Sequence, residues 1–135
     1  MICKRFANES FRLYISFQMA EEKKDAPIMY IIINNDLDMP KGKIVAQACH
    51  ITQKITEEII RTGYESSALP EEYLMYMKWV KNCTKIILKA NFDQLLKLSK
   101  MPGARHMIDN FRGQGLSNSC WFSSGDKHDR RIQRL

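Results

Sequence analysis

Tyr30-Ile31-Ile32-Ile33-Asn34-Asn35-Asp36 leads through a turn into Lys41-Gly42-Lys43-Ile44-Val45-Ala46-Gln47-Ala48-Cys49-His50. An apolar run of strand length meets a turn, and the turn opens into an amphipathic helix. Residues 29–34 include three consecutive isoleucines, the pattern of a strand buried on both faces. Pro40 helps to fix the connection. From Val45 the apolar positions recur at Ala48, Ile55 and Ile59, with Thr52 filling the gap, a spacing that predicts one buried helix face. Lys43, Gln47, His50 and Lys54 form a second stripe at the same spacing and predict a polar face. The helix is expected to run to about Thr62, with Gly63 as its stop.

Two lysines at the mouth of a helix have a chemical consequence. The first turn already presents unpaired N–H groups and a partial positive charge. Lys41 and Lys43 add to it, which suits an anion such as a phosphate or a developing oxyanion. The plainer alternative is a basic, solvated helix start. His50 can serve as an acid, a base or a polar anchor, or it can be a structural residue of the helix.

Outward from this stretch, Pro70-Glu71-Glu72 is a helix start, with proline in the first turn and acids at the positive end of the dipole. Tyr73, Met77 and Val80 then predict one face of a short helix. Cys83 to Ala90 predicts a second strand around Ile86, Ile87 and Leu88. Asn91 reads as the N-cap of a helix carrying Phe92, Leu95, Leu96 and Leu98, which Pro102-Gly103 ends. Arg105 to Asp109 predicts a third short strand, and Ser119 to Ser123 a poor fourth. The alternation predicts an α/β fold: one three-layer domain whose mixed sheet of about four strands is flanked by helices. The expected organisation is an extension over 1–26 with little order, a domain over 27–125 and a charged tail over 126–135.

The 135 residues suffice for one domain with a real core. The net charge of +6 and a pI near 9.2 suit an acidic partner, nucleic acid first. Cys3, Cys49, Cys83 and Cys120 are far apart and make no zinc spacing with His50, His106 or His128, so they read as reduced thiols of a cytoplasmic-type compartment. Cys49 and His50, being adjacent on a helix, point about 100° apart and do not make a thiol–imidazole pair. No apolar run reaches membrane-spanning length. Residues 1–18 hold Lys4, Arg5 and Arg12 against Glu9, a weak organelle-targeting pattern, and Met19 offers a second start.

These residues resemble the type 2 peptidyl-tRNA hydrolases. The family pattern Met-x-Lys-Gly-Lys-x-x-x-Gln-x-x-His is matched without a gap from Met39 to His50, after a strand that ends in a polar pair and Asp36. Lys85-Ile86-Ile87-Leu88-Lys89 and the leucine-rich helix after it also look like the family's, so the resemblance covers roughly residues 28–110. It departs at the C-terminal side. Where the family carries Asp-x-Gly-Arg-Thr-Gln and an apolar final strand, this chain reads Asp109-Asn110-Phe111-Arg112-Gly113-Gln114, then Leu116-Ser117-Asn118-Ser119-Cys120-Trp121-Phe122-Ser123. Divergence toward a weakened enzyme accounts for this, and so does a reading-frame disturbance that replaces a stretch.

The resemblance implies hydrolysis of the ester between a peptide and the 3′ ribose of tRNA, with no metal or other cofactor. Lys43, Asp109 and His50 are its catalytic candidates. Lys43 would face the oxyanion or a nearby phosphate, and Asp109 would orient the attacking water or the lysine. Lys41, Gln47, Arg112 and Gln114 are the substrate-binding candidates. The family threonine falls on Gly113, which has no hydroxyl to place the water. The partner implied is peptidyl-tRNA, with no membrane, and a homodimer stays open. Two other readings remain: a non-catalytic module of the same fold that binds tRNA or a protein, and a generic basic RNA-binding domain, which predicts exposed aromatics on a sheet face.

Overall fold

A computed structural model describes residues 26–108 and 115–123. In chain order the elements are β1 (Ile28–Asn34), a 3-10 turn (Asn35–Leu37), α1 (Lys41–Glu65), α2 (Glu71–Trp79), β2 (Lys85–Ala90), α3 (Phe92–Ser99), β3 (Arg105–Ile108) and β4 (Leu116–Ser123). The sheet order is β2-β1-β4-β3. β1 pairs with β2 in parallel and with β4 antiparallel, and β3 pairs antiparallel with β4. β1, β2 and β3 therefore run the same way. Their carboxyl ends, the amino end of β4 and the amino ends of α1 and α3 gather along one border of the sheet.

Alternation along β1 divides the core in two. Met29, Ile31 and Ile33 face a layer containing α1 and Trp79 of α2, together with Cys120 and Phe122. Tyr30 and Ile32 face α3 through Leu95 and Leu98, with Trp121 beside them. This is the expected three-layer α/β domain with a mixed sheet. Ile51, Ile55 and Ile59 of α1 are at most 1% exposed, and each such side chain contributes about 1.5–3 kcal/mol relative to exposure. Asn91 caps α3 as predicted, in a reciprocal capping box with Gln94.

Five local expectations are corrected. Val45 is 62% exposed, while Ile51, outside the predicted stripe, is fully buried, because α1 meets the sheet along Ala48, Ile51, Ile55 and Ile59. Gln47, from the polar stripe, is buried against β4. Gly63 does not stop α1, which continues to Glu65; the glycine lets the Tyr73 ring of α2 approach, since a Cβ there would lie 2.2 Å from Tyr73 Cδ2. On α2 the buried residue is Trp79, whose Nε1 donates to the Thr84 carbonyl at 2.7 Å, while Met77 and Val80 are exposed. Cys83 has a φ of 51° and belongs to the turn before β2.

The largest correction concerns β4. It is a central strand spanning Leu116–Ser123, buried throughout and paired on both sides. Its polar side chains are accommodated because neighbours accept their hydrogen bonds, Ser119 Oγ donating to the Arg105 carbonyl at 3.1 Å. Its apolar end stacks Trp121 on Tyr30 at 5.9 Å and sets Phe122 edge-on to Trp79 at 5.2 Å. Tyr30 and Trp121 are thus under α3, and the exposed aromatic sheet face that a generic RNA-binding domain needs is missing among the described residues.

Arg105 ties β3 to the helical layer. Its guanidinium donates to both carboxylate oxygens of Glu72 on α2, to Glu58 on α1 at 3.0 Å and to the Gly103 carbonyl at 2.8 Å. Burial pulls its pKa down, but the two carboxylates outweigh that and leave it raised.

Candidate functional site

The carboxyl border of the sheet is where open α/β folds place their ligands, beyond the strand ends. Here it is organised by the polar residues after β1. Asn34 Nδ2 donates to the Leu116 carbonyl at 2.8 Å, joining the end of β1 to the start of β4. Asn34 Oδ1 accepts from the Asp36 N–H at 2.9 Å. The Asp36 carboxylate in turn accepts from the Phe92 N–H at 2.8 Å, so the amino end of α3 is already occupied by an acid.

The first turn of α1 has the opposite composition. Its N-cap is Pro40, which makes no side-chain cap bond, and its first turn contains no acid. Lys41 is exposed there and Lys43 is half-buried. A Cβ added at Gly42 would meet no atom of the described residues within 4 Å. Asp38, just before the helix, takes a left-handed conformation with φ 44°, which turns the chain into Met39 and Pro40.

Gln47 lies one turn into α1 and is 5% exposed. Its side-chain Oε1 accepts from Ser117 Oγ at 3.3 Å, and its backbone carbonyl accepts from Asn118 Nδ2 at 2.8 Å. Ser117 occupies an irregularity of the β3–β4 ladder. Met107 pairs with Asn118 and Ile108 with Leu116, so Ser117 is the extra residue of a β-bulge. The bulge lets adjacent residues Ser117 and Asn118 both reach Gln47.

His50 is exposed and opens onto a shallow cleft of about 380 Å³ lined by Gln53, Lys54, Glu57, Glu58, Arg61 and Met107. Lys54 Nζ donates to the His106 carbonyl at 3.2 Å beside it. Of the residues predicted for the site, Lys41, Lys43 and Gln47 sit at or just inside the mouth of α1. His50 is about 10 Å further along the axis from Lys43, from a rise of 1.5 Å per residue. Asp109, Arg112, Gln114, Phe111 and Gly113 lie outside the described residues, between Ile108 and Gly115. Asn34, Ser117 and Asn118 were not singled out from sequence. The signal available for the last two was a run of small polar residues leading into Cys120-Trp121-Phe122.

Among the described residues, no three His, Cys, Asp or Glu side chains converge as a metal site. Cys49 and Cys83 are exposed free thiols. Cys120 is buried, and desolvation pushes its thiol up to about 12, against the smaller opposing pull of Arg105 and Lys85. No described helix is long and apolar enough to cross a membrane.

Residues 28–111 match the family Peptidyl-tRNA hydrolase PTH2. A "Probable peptidyl-tRNA hydrolase 2" from Dictyostelium discoideum is 36% identical over 67 residues, covering 49% of this chain and 28% of that protein. A "Peptidyl-tRNA hydrolase" from Sulfolobus acidocaldarius is 38% identical over 71 residues, covering 51% of this chain and 56% of its own length. The chain thus spans between about a quarter and a little over half of these relatives. The matched region contains β1, α1, α2, β2, α3 and β3, and with them the lysine-bearing mouth of α1. This chain belongs to the Peptidyl-tRNA hydrolase PTH2 family.

Proposed function

We propose that the chain hydrolyses the ester between a peptide and the 3′ ribose of tRNA, releasing tRNA for reuse. The observation that carries this reading is the first turn of α1, which holds Lys41 and Lys43 and no acid of its own, in a chain of this family. Water adds to the ester carbonyl, an oxyanion develops, and the bond to the ribose oxygen breaks as that oxygen takes a proton. Lys43 supplies positive charge to the oxyanion or to a neighbouring phosphate. Asp109 orients the water or the lysine, Gln47 and His50 line the site and hold substrate or neighbouring side chains, and Lys41, Arg112 and Gln114 contact the RNA. The protein works in the cytoplasm, where Cys49 and Cys83 stay reduced. Homodimerisation is compatible with this activity and is not required by it.

A weakened or non-catalytic homologue that binds tRNA or a protein is the second reading, favoured by Gly113 in place of a hydroxyl-bearing residue. A single-turnover assay on peptidyl-tRNA separates the two. Lys43→Ala is expected to slow cleavage by about 10²–10³-fold, the typical cost of one oxyanion donor, with Lys41→Ala acting mainly on binding. Phe111→Gly with Gly113→Thr is expected to raise turnover rather than affinity. Equal, small effects of both lysine substitutions mean that the helix mouth is merely basic. A folded chain that binds tRNA but cleaves nothing, even with the double change, establishes the second reading.

A further inference from the structure

The cleft beside His50 differs in character from the lysine-bearing mouth of α1. Its walls are the exposed face of α1 and Met107 of β3, an edge strand of the sheet. His50 is one turn past Gln47, and Met107 comes two residues before Asp109 in sequence, so one end of the cleft adjoins the site candidates. From there the cleft follows α1 to Arg61, about 16 Å beyond His50 at a rise of 1.5 Å per residue. Lys54 Nζ donates to the His106 carbonyl at 3.2 Å and ties α1 to β3, so the cleft is formed before anything enters it. Its charges are balanced. Lys54 and Arg61 stand against Glu57 and Glu58, and Arg105, which pairs with Glu58, is itself matched by Glu72.

We propose that this cleft holds the peptide moiety of the substrate, on the other side of the scissile ester from the RNA; this rests on the hydrolytic function proposed above. Peptidyl-tRNA has two arms that meet at the ester. The RNA arm is a line of phosphates and calls for positive charge in excess. The first turn of α1 offers two lysines and no acid of its own, whereas Glu57 and Glu58 would repel phosphates along the cleft. The peptide arm carries amides of no net charge, which suit a polar cleft of balanced charge. Gln53 Nε2 donates to Glu57 at 2.7 Å, and its Oε1 can accept from a peptide N–H. Arg61 can donate to a peptide carbonyl. Met107 supplies an adaptable apolar contact that tolerates the varied side chains of different peptides. An extended chain advances about 3.3 Å per residue, so about five residues span the cleft.

The test compares two substrates on one tRNA, an N-acetyl-aminoacyl-tRNA and a tetrapeptidyl-tRNA. Because the RNA is shared, the ratio of their kcat/KM values reports the peptide arm alone. One or two hydrogen bonds to the longer peptide correspond to about a five- to thirtyfold preference for it. Gln53→Trp and Glu57→Trp each put a large side chain into the cleft from an exposed position of α1. In variants shown to be folded by circular dichroism, that preference should fall to about twofold or less, with cleavage of the one-residue substrate unchanged. A preference kept by both variants overturns the proposal. So does an equal loss on both substrates, which places RNA in the cleft, and so does an unaltered chain that cleaves both substrates at the same rate. An unaltered chain that binds peptidyl-tRNA but cleaves neither substrate removes the proposed function instead. The cleft is then read by NMR, with an N-acetylated tetrapeptide amide as the probe. Titration shifts of the Gln53 Nε2 and Arg61 Nε signals that Glu57→Trp abolishes support the peptide site, and their absence overturns it.

Discussion

Gly63→Ala should destabilise the protein, although helix propensity taken alone predicts the reverse. Glycine in a helix interior costs about 1 kcal/mol relative to alanine, and Gly63 lies inside α1. The contact with α2 decides the sign. A Cβ at position 63 would lie 2.2 Å from Tyr73 Cδ2, 2.6 Å from Cε2 and 2.8 Å from Cγ. Ordinary van der Waals contact begins more than an ångström further out than the shortest of these. The ring cannot simply swing away, because Cγ, next to the Tyr73 backbone, is itself too close. Tyr73 must leave its rotamer or α2 must move outward, and overpacking of this kind costs about 1–3 kcal/mol. At the upper part of that range, the net effect after the propensity gain is a loss of about 1–2 kcal/mol. Gly42 in the same helix is the internal control, since nothing among the described residues would meet its Cβ, and Gly42→Ala should be neutral or stabilising by up to about 1 kcal/mol. Urea denaturation followed by circular dichroism measures both. In a Tyr73→Ala background, Gly63→Ala should recover its stabilising effect, giving a coupling of about 2–3 kcal/mol in a double-mutant cycle. If Gly63→Ala raises the denaturation midpoint as Gly42→Ala does, the close approach of α1 and α2 is wrong.

Two further outcomes are expected. Cys120 stays protonated in the folded chain until about pH 12, whereas the unfolded thiol ionises near 8.5–9. Between those values the unfolded state binds fewer protons, so stability should fall with rising pH by up to about 1.4 kcal/mol per unit. Cys120→Ala should flatten that part of the profile relative to the parent, and identical alkaline slopes in urea titrations would refute the burial argument. The affinity for tRNA should fall steeply with salt, and Lys41→Ala should reduce the slope of log K against log salt by about one, as expected for loss of a single phosphate contact. A flat salt dependence in filter-binding measurements would remove the basic-surface argument.

The elements governed by local rules were legible in the sequence. The isoleucine run of β1, the proline and acids opening α2 and the asparagine cap of α3 each carry their own cause, and each forms where it was read. So did the lysine pair at the mouth of α1, because a helix start is set by the turn that precedes it. What failed depended on partners distant in sequence. Val45 and Ile51 exchanged roles because helical spacing gives a period, and the neighbouring sheet chooses the phase. Gly63 looked like a stop because the Tyr73 ring that needs its missing Cβ is on another helix. β4 looked poor because Ser117, Asn118 and Ser119 are polar. Their burial becomes affordable only when Gln47, Met107 and Arg105, each at least ten residues away, accept their hydrogen bonds. The sequence by itself determined the strand–helix order and the charge at the helix mouth, since propensity, capping and net charge act over a few residues. Only the tertiary structure decided that β4 is central and that Gln47 is buried, because hydrogen-bond satisfaction in a core belongs to pairs of elements and not to either one alone.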